Sequence, residues 1–185
     1  SILKGPENID EPETLVLEST YGNRLHSPET ALVQLGDCLS ESIQRGGVAI
    51  IPAFAVGRSQ EIIYLIAELE RLKRIPSVPV ILDSPMSKKA LEIFLERHED
   101  QVEDAGFRKE QFFPANFTII ETVDESMMAA MQAGPAIIIS ASGMLSGGRV
   151  LHHLKRRLPD ERNMVIFSGY QAEGSKGRFL QDQAR

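Results

Sequence analysis

The chain has 185 residues, 42% of them hydrophobic and 25% charged, with a formal net charge of −6. That length suits one domain with a full core, and the composition excludes wholesale disorder. No apolar run approaches the roughly 20 residues of a membrane helix, and Ser1 to Pro6 carries no leader pattern, so no membrane partner is expected.

Short β-branched runs alternate with longer amphipathic stretches. Thr14 to Leu17 reads as a first strand leading into Glu18-Ser19-Thr20-Tyr21-Gly22. A helix follows from Ser27-Pro28-Glu29, with Ser27 as N-cap, and ends at Gly46-Gly47. The second strand is Val48 to Ile51, with a helix from Ser59 to about Lys73. The third is Val78 to Leu82, then Asp83-Ser84-Pro85 and a helix from about Ser87 to Arg97. His98 to Asn116 is expected to add a further helix and a loop. Phe117 to Glu121 is the fourth strand, followed by a Met-rich helix from Asp124. Ala136 to Ile139 is the fifth, leading through Ser140-Ala141-Ser142-Gly143 to a helix over Val150 to Leu158. Met164 to Phe167 is the sixth, followed by Ser168-Gly169-Tyr170 and a last helix from Ser175.

Strands that read as continuous apolar runs are buried on both faces, and alternation with helices implies right-handed crossovers. The expected fold is a doubly wound α/β domain, with a mainly parallel sheet and helices on both faces. Because the chain lacks an initial Met and stops inside a helical pattern, it is expected to be a piece of something longer.

In such a sheet, ligands bind beyond the carboxyl ends of the strands. Those ends carry Glu18, Ser19, Thr20, Arg58, Asp83, Ser84, Ser140, Ser142, Gly143, Ser168 and Gly169. Arg58, Lys88, Lys89, Arg149, Lys176 and Arg178 add positive charge, while Glu61, Glu121, Asp124, Glu125 and Glu173 oppose it. Small hydroxyls, glycines, helix N-termini and arginines suit a phosphate-bearing ligand. Polar loop edges in general look the same.

Nucleotide signatures are absent. Gly169 to Gly174 has P-loop spacing, but Ser175-Lys176 reverses the required Lys-Ser order. No metal motif joins His26, His98, His152 and His153, so this chain by itself is expected to bind no metal. His152 and His153 read as surface or packing residues, and Met127, Met128 and Met131 as core filler. Cys38 reads as a buried inert thiol; alone it forms no internal disulfide, which fits a cytoplasmic protein. Without Trp, and with few aromatics, a base-stacking platform is not expected. Glu18, at the end of an apolar strand, stands out as a partly buried candidate acid.

Leu17-Glu18-Ser19-Thr20-Tyr21-Gly22-Asn23-Arg24-Leu25-His26 resembles the opening motif of the β-CASP region in metallo-β-lactamase-fold nucleases. Pro52 to Glu61 is similar to that family's second block. Asp83-Ser84-Pro85-Met86, Ser140-Ala141-Ser142-Gly143-Met144 and Gly169-Tyr170-Gln171-Ala172-Glu173-Gly174 follow in family order. The best match is to the RNA-processing branch. The resemblance implies a Rossmann-like β-CASP domain over residues 23–185, with residues 1–22 as the junction to an absent metallo-β-lactamase half. It implies an intact parent that hydrolyses RNA with two zinc ions, none of them held by this fragment's own ligands. Glu18 would be the surviving catalytic acid, pairing with a histidine of the missing half. Ser19, Thr20, Tyr21, Arg58, Ser140, Ser142, Gly143, Gly169 and Arg178 would face single-stranded RNA. The fragment alone is expected to be inactive. A homodimer is an open alternative for its assembly. The competing reading is a non-catalytic RNA-binding or assembly scaffold that has lost the metal site.

Overall fold

The computed structural model describes residues 10–23, 25, 29–97 and 111–184. After an irregular start, helix α1 spans Ala31–Gln44, strand β1 Val48–Pro52, α2 Arg58–Arg71, β2 Val80–Asp83 and α3 Pro85–Glu96. Then come β3 Phe117–Ile119, α4 Val123–Met131, β4 Ala136–Ser140, α5 Val150–Arg157, β5 Met164–Val165 and α6 Lys176–Gln183. The five strands form one sheet in the order β3-β2-β4-β1-β5, every pair parallel.

Period-two alternation divides each strand between two cores. Ala49, Ile51, Val80, Leu82, Ile137 and Ile139 meet Leu39 of α1, Ile62, Ile63, Ile66 and Leu69 of α2, and Leu91 of α3. Val48, Ile50, Ile81, Ala136 and Ile138 meet Ala129 of α4 and Val150 and Leu154 of α5. The handedness of crossovers explains the division. From β1 to β2 to β3 the chain moves one way across the sheet, so α2 and α3 fall on one face. From β3 to β4 to β5 it moves back, so α4 and α5 fall on the other. The expected doubly wound α/β fold is therefore present, with an all-parallel sheet.

Four local expectations are corrected. Thr14 to Leu17 forms no strand: Val16 is 91% exposed and the run pairs with nothing in the sheet. An apolar run becomes a strand only if a neighbour takes its backbone hydrogen bonds, and here the edge positions go to β3 and β5. Helix α1 starts at Ala31, where the Thr30 hydroxyl accepts from the Val33 N–H; the expected cap, Ser27, lies outside the described residues. Met127, Met128 and Met131 are exposed, because α4 presents the small residues Ser126, Ala129 and Ala130 inward. Cys38 is half-buried, not buried. The segment expected to add a helix before Asn116 lies largely outside the described residues. No helix among the described residues is long and apolar enough to cross a membrane.

Candidate functional site

β1 and β4 are adjacent, but their outgoing connections leave on opposite faces, α2 on one and α5 on the other. Their carboxyl ends therefore mark the topological switch point, where doubly wound sheets leave a crevice for ligands. Pro52 and Ser140 are paired there in register. The loops leaving these strands touch: a Cβ on Gly143 would lie 3.2 Å from the Phe54 ring and from its backbone nitrogen. Gly143 is thus glycine because the two loops approach so closely.

The edge is tied together by hydrogen bonds. Buried Gln171 donates from Nε2 to the carbonyls of Gly143 (2.9 Å) and Gly169 (3.2 Å). Ser168 Oγ donates to the Pro52 carbonyl at 3.1 Å, and the Gly177 N–H to the Met144 carbonyl at 3.2 Å. The Tyr170 N–H donates to the Tyr21 hydroxyl at 2.8 Å, with the two rings edge to face at 6.3 Å. That last bond fastens the Glu18 to Gly22 turn onto the strand-end loops, although no strand leads into it.

Beneath this edge lies a buried charge hub that sequence reasoning missed. Asp83, at the end of β2, is fully buried. Its Oδ1 accepts from Arg149 Nη1 at 2.9 Å, and its Oδ2 accepts from His153 Nε2 at 2.7 Å and from the Ser126 hydroxyl. Since a carboxylate only accepts, His153 Nε2 carries the proton, leaving its buried Nδ1 without a partner. Burial alone would raise the Asp83 carboxyl, but the hydrogen bonds from His153, Ser126 and Arg149 outweigh it and hold it below the usual aspartate range. Arg149 Nη2 also donates to the Glu121 carbonyl at 2.8 Å. The available signal was a carboxylate ending the apolar run Val80-Ile81-Leu82, four residues from whose α5 partner, Arg149, stands His153. His152, one position away, is exposed.

The predicted site residues separate into two groups. Glu18, Ser19 and Thr20 are exposed and Tyr21 half-buried. Glu18 is not the partly buried acid expected; the Thr20 hydroxyl and N–H bind its carboxylate and draw its pKa down. Ser142, half-exposed, shares a hydrogen bond with the Ser146 hydroxyl at 2.8 Å. Gly169 faces open space. Arg58 pairs with Glu61 at 2.6 Å and Arg178 with Asp182 at 2.9 Å, both at partly exposed positions. Ser140 and Gly143, by contrast, are buried: the Ser140 hydroxyl donates to the Asp83 carbonyl at 2.9 Å. Both therefore lie beneath the crevice surface, where their side-chain positions are taken up by the domain itself. Arg24 and His26 lie outside the described residues.

Of the six cations expected on this edge, Arg58, Lys88, Arg149 and Arg178 each have a carboxylate partner. The edge is therefore nearly neutral at close range. It also exposes apolar side chains, Phe54, Val56 and Met86.

Comparison with known proteins gives a family. The model of the Beta-Casp domain matches residues 59–180. The chain is 36% identical over 181 residues to "Ribonuclease TTHA0252" of Thermus thermophilus, which covers 95% of this chain and 42% of that protein. It is 36% identical over 188 residues to an "RNase J-like protein" of Methanocaldococcus jannaschii, covering all of this chain and 44% of the relative. It is 37% identical over 177 residues to "Transcription termination factor FttA" of Methanosarcina mazei, covering 91% of this chain and 28% of the relative. The chain thus spans less than half the length of these proteins.

Proposed function

The chain belongs to the β-CASP family, and from that membership we propose that it is the substrate-clamping part of a ribonuclease whose substrate is single-stranded RNA. The observation that carries this reading is the Tyr170–Tyr21 hydrogen bond. It sets the Glu18 turn beside the loops at the switch point, so that one acid and one crevice form a single surface. In the proposal, residues up to Gly22 are the junction with a metallo-β-lactamase half, and the exposed Leu15, Val16, Leu17, Phe54, Val56 and Met86 are covered by that half.

Two oxygens and a depressed pKa suit Glu18 for one task. Thr20 occupies Oε1 and draws the pKa down, while among the described residues Oε2 has no partner and is open to a cation. A histidine supplied by the other half would be held there in its protonated form and oriented toward the leaving oxygen of the phosphodiester. Ser19, Thr20, Tyr21, Arg58, Ser142, Gly169 and Arg178 would contact the RNA backbone. Arg58 and Arg178 would do so by exchanging their carboxylate partners for phosphate. The family likeness also implies two zinc ions. Among the described residues no three His, Cys, Asp or Glu side chains gather to hold one; in the proposal both ions belong to the metallo-β-lactamase half.

The test is single-turnover cleavage of matched single-stranded RNA and DNA by the whole parent, wild type against Glu18→Gln. RNA-selective cleavage that falls about 100-fold in the variant is expected, the size of a lost general acid–base contribution. Cleavage indifferent to Glu18 would make the acid structural, and no cleavage by wild type would move the assignment to the scaffold. The chain by itself is expected to cleave nothing.

A further inference from the structure

The opposite edge of the sheet, where the strands begin, holds a second polar site. The turns entering β1, β4 and β5 enclose a pocket of about 320 Å³, lined among others by Gln132, Gly134, Arg156, Arg157, Asp160 and Arg162. This is the lower end of the size range of small-ligand sites. Three guanidinium groups meet here in a chain whose formal charge is −6.

One carboxylate of the lining, Asp160, stands against these three charges. Arg162 grips Asp160 through Nε at 3.0 Å and 3.2 Å and through Nη2 at 2.7 Å, which pulls the Asp160 carboxyl down to about 2. That acid is therefore fully engaged. Arg156 is exposed, and among the described residues neither it nor Arg157 has a carboxylate within ion-pair distance. Arg157 is only 7% exposed. Its Nη2 donates to the carbonyls of Ala129 (2.9 Å) and Gln132 (2.8 Å), closing the C-terminus of α4, while among the described residues its buried Nε has no partner. Burial, and then the charge of Arg156, press the Arg157 pKa down against the weaker opposing attraction of Asp160. The backbone beneath is rigid: Asn163 accepts from the Val48 N–H at 2.8 Å and donates to the Arg157 carbonyl at 2.9 Å.

Three cations against the one carboxylate of the lining, Asp160, leave the pocket with an excess of positive charge. Guanidinium forks match tetrahedral oxyanions in geometry, and three of them offer more donors than a two-oxygen carboxylate accepts. We propose that this pocket binds a phosphate-class oxyanion, held by Arg156, Arg157 and Arg162, at the end of the domain remote from Glu18. The phosphate belongs either to a small free molecule or to the backbone of a nucleic-acid strand passing the amino ends of the strands.

The test follows the arginine Nε–H resonances of the protein by NMR during titration with inorganic phosphate, at constant ionic strength. The Arg157 resonance is expected to move to saturation. Arg156→Gln and Arg162→Gln, both at exposed positions, weaken that binding about tenfold or more, the effect of losing one charge-assisted contact. Arg71→Gln, at an exposed position of α2 outside the pocket lining, leaves it unchanged. Repeating the titration with a short single-stranded RNA assigns the source. Displacement of phosphate from the Arg157 signal identifies a strand backbone, and an unmoved signal identifies a small free phosphate. A drift without saturation, or saturation of equal affinity in Arg156→Gln, overturns the proposal.

Discussion

Replacing Asp83 tests whether the buried hub holds the domain together. The carboxylate receives donors from three elements: Arg149 at the start of α5, His153 within it, and Ser126 of α4. An asparagine keeps the volume but offers one acceptor oxygen. If that oxygen faces Arg149, its amide NH₂ faces His153 and Ser126. His153 can adapt by moving its proton to the partnerless Nδ1 and accepting at Nε2, and the hydroxyl can rotate, but the charge of Arg149, 18% exposed, stays uncompensated. Breaking a buried pair from one side costs about 3–5 kcal/mol. Asp83→Asn is therefore placed at about 3 kcal/mol and Asp83→Ala, which strands all three donors, at about 5 kcal/mol. For a chain of this size that lowers Tm by about 6–12 °C in Asp83→Asn and about 10–20 °C in Asp83→Ala. Urea denaturation followed by circular dichroism measures the loss directly. The pH dependence gives a second reading. The folded pKa of Asp83 lies below the unfolded value of about 3.9. Its contribution is thus complete above that value and is lost as pH falls through the folded pKa, because the unfolded chain takes up the proton first. The acid limb of the wild-type stability curve should be shallower in Asp83→Asn. A variant within about 1 kcal/mol of wild type, with the same acid limb, would refute the assignment of the hub as a stabilising centre.

Two further outcomes follow from packing. A Cβ at Gly47 would lie 1.8 Å from the Arg162 carbonyl oxygen; since backbone must move, Gly47→Ala is expected to cost about 3 kcal/mol, the upper end of overpacking, and a loss below about 1 kcal/mol in urea denaturation would contradict that contact. Replacing Met127, Met128 and Met131 together by Gln should change stability by no more than about 0.5 kcal/mol per site, because all three face outward, and a loss of several kcal/mol would return them to the core.

How far the sequence could be read depended on whether a feature was local. Val48 to Ile51, Ala136 to Ile139 and Val80 to Leu82 were legible because double burial leaves an unbroken apolar run. Thr14 to Leu17 has the same local character, yet a strand is defined by its neighbour, and none is present. The three methionines misled for a related reason: composition marks a helix as apolar but does not say which face the sheet takes, and Ser126, Ala129 and Ala130 fit more closely against it. The strand-end edge was found from topology and residue type. Which hydroxyls reach its surface was not, since Ser140 and Ser142 stand two apart yet differ in burial through the turn that follows β4. The hub at Asp83 joins residues 43, 66 and 70 positions apart, a separation no local pattern records.

The strand order also bears on how the domain is made. β1 and β2 are synthesised before β4 but are not neighbours; the slot between them belongs to β4, which follows β3 along the chain. Until Ala136–Ser140 has been synthesised, β2 can pair only with β3, and β1 has no partner at all. The nascent chain must therefore carry the backbone N–H and C=O groups of Val48 to Ile51 without a strand partner while the stretch from Ala53 to Pro135 is translated. Completion of the sheet is a single late event, and truncation anywhere before β4 leaves no smaller sheet containing β1 to fall back on.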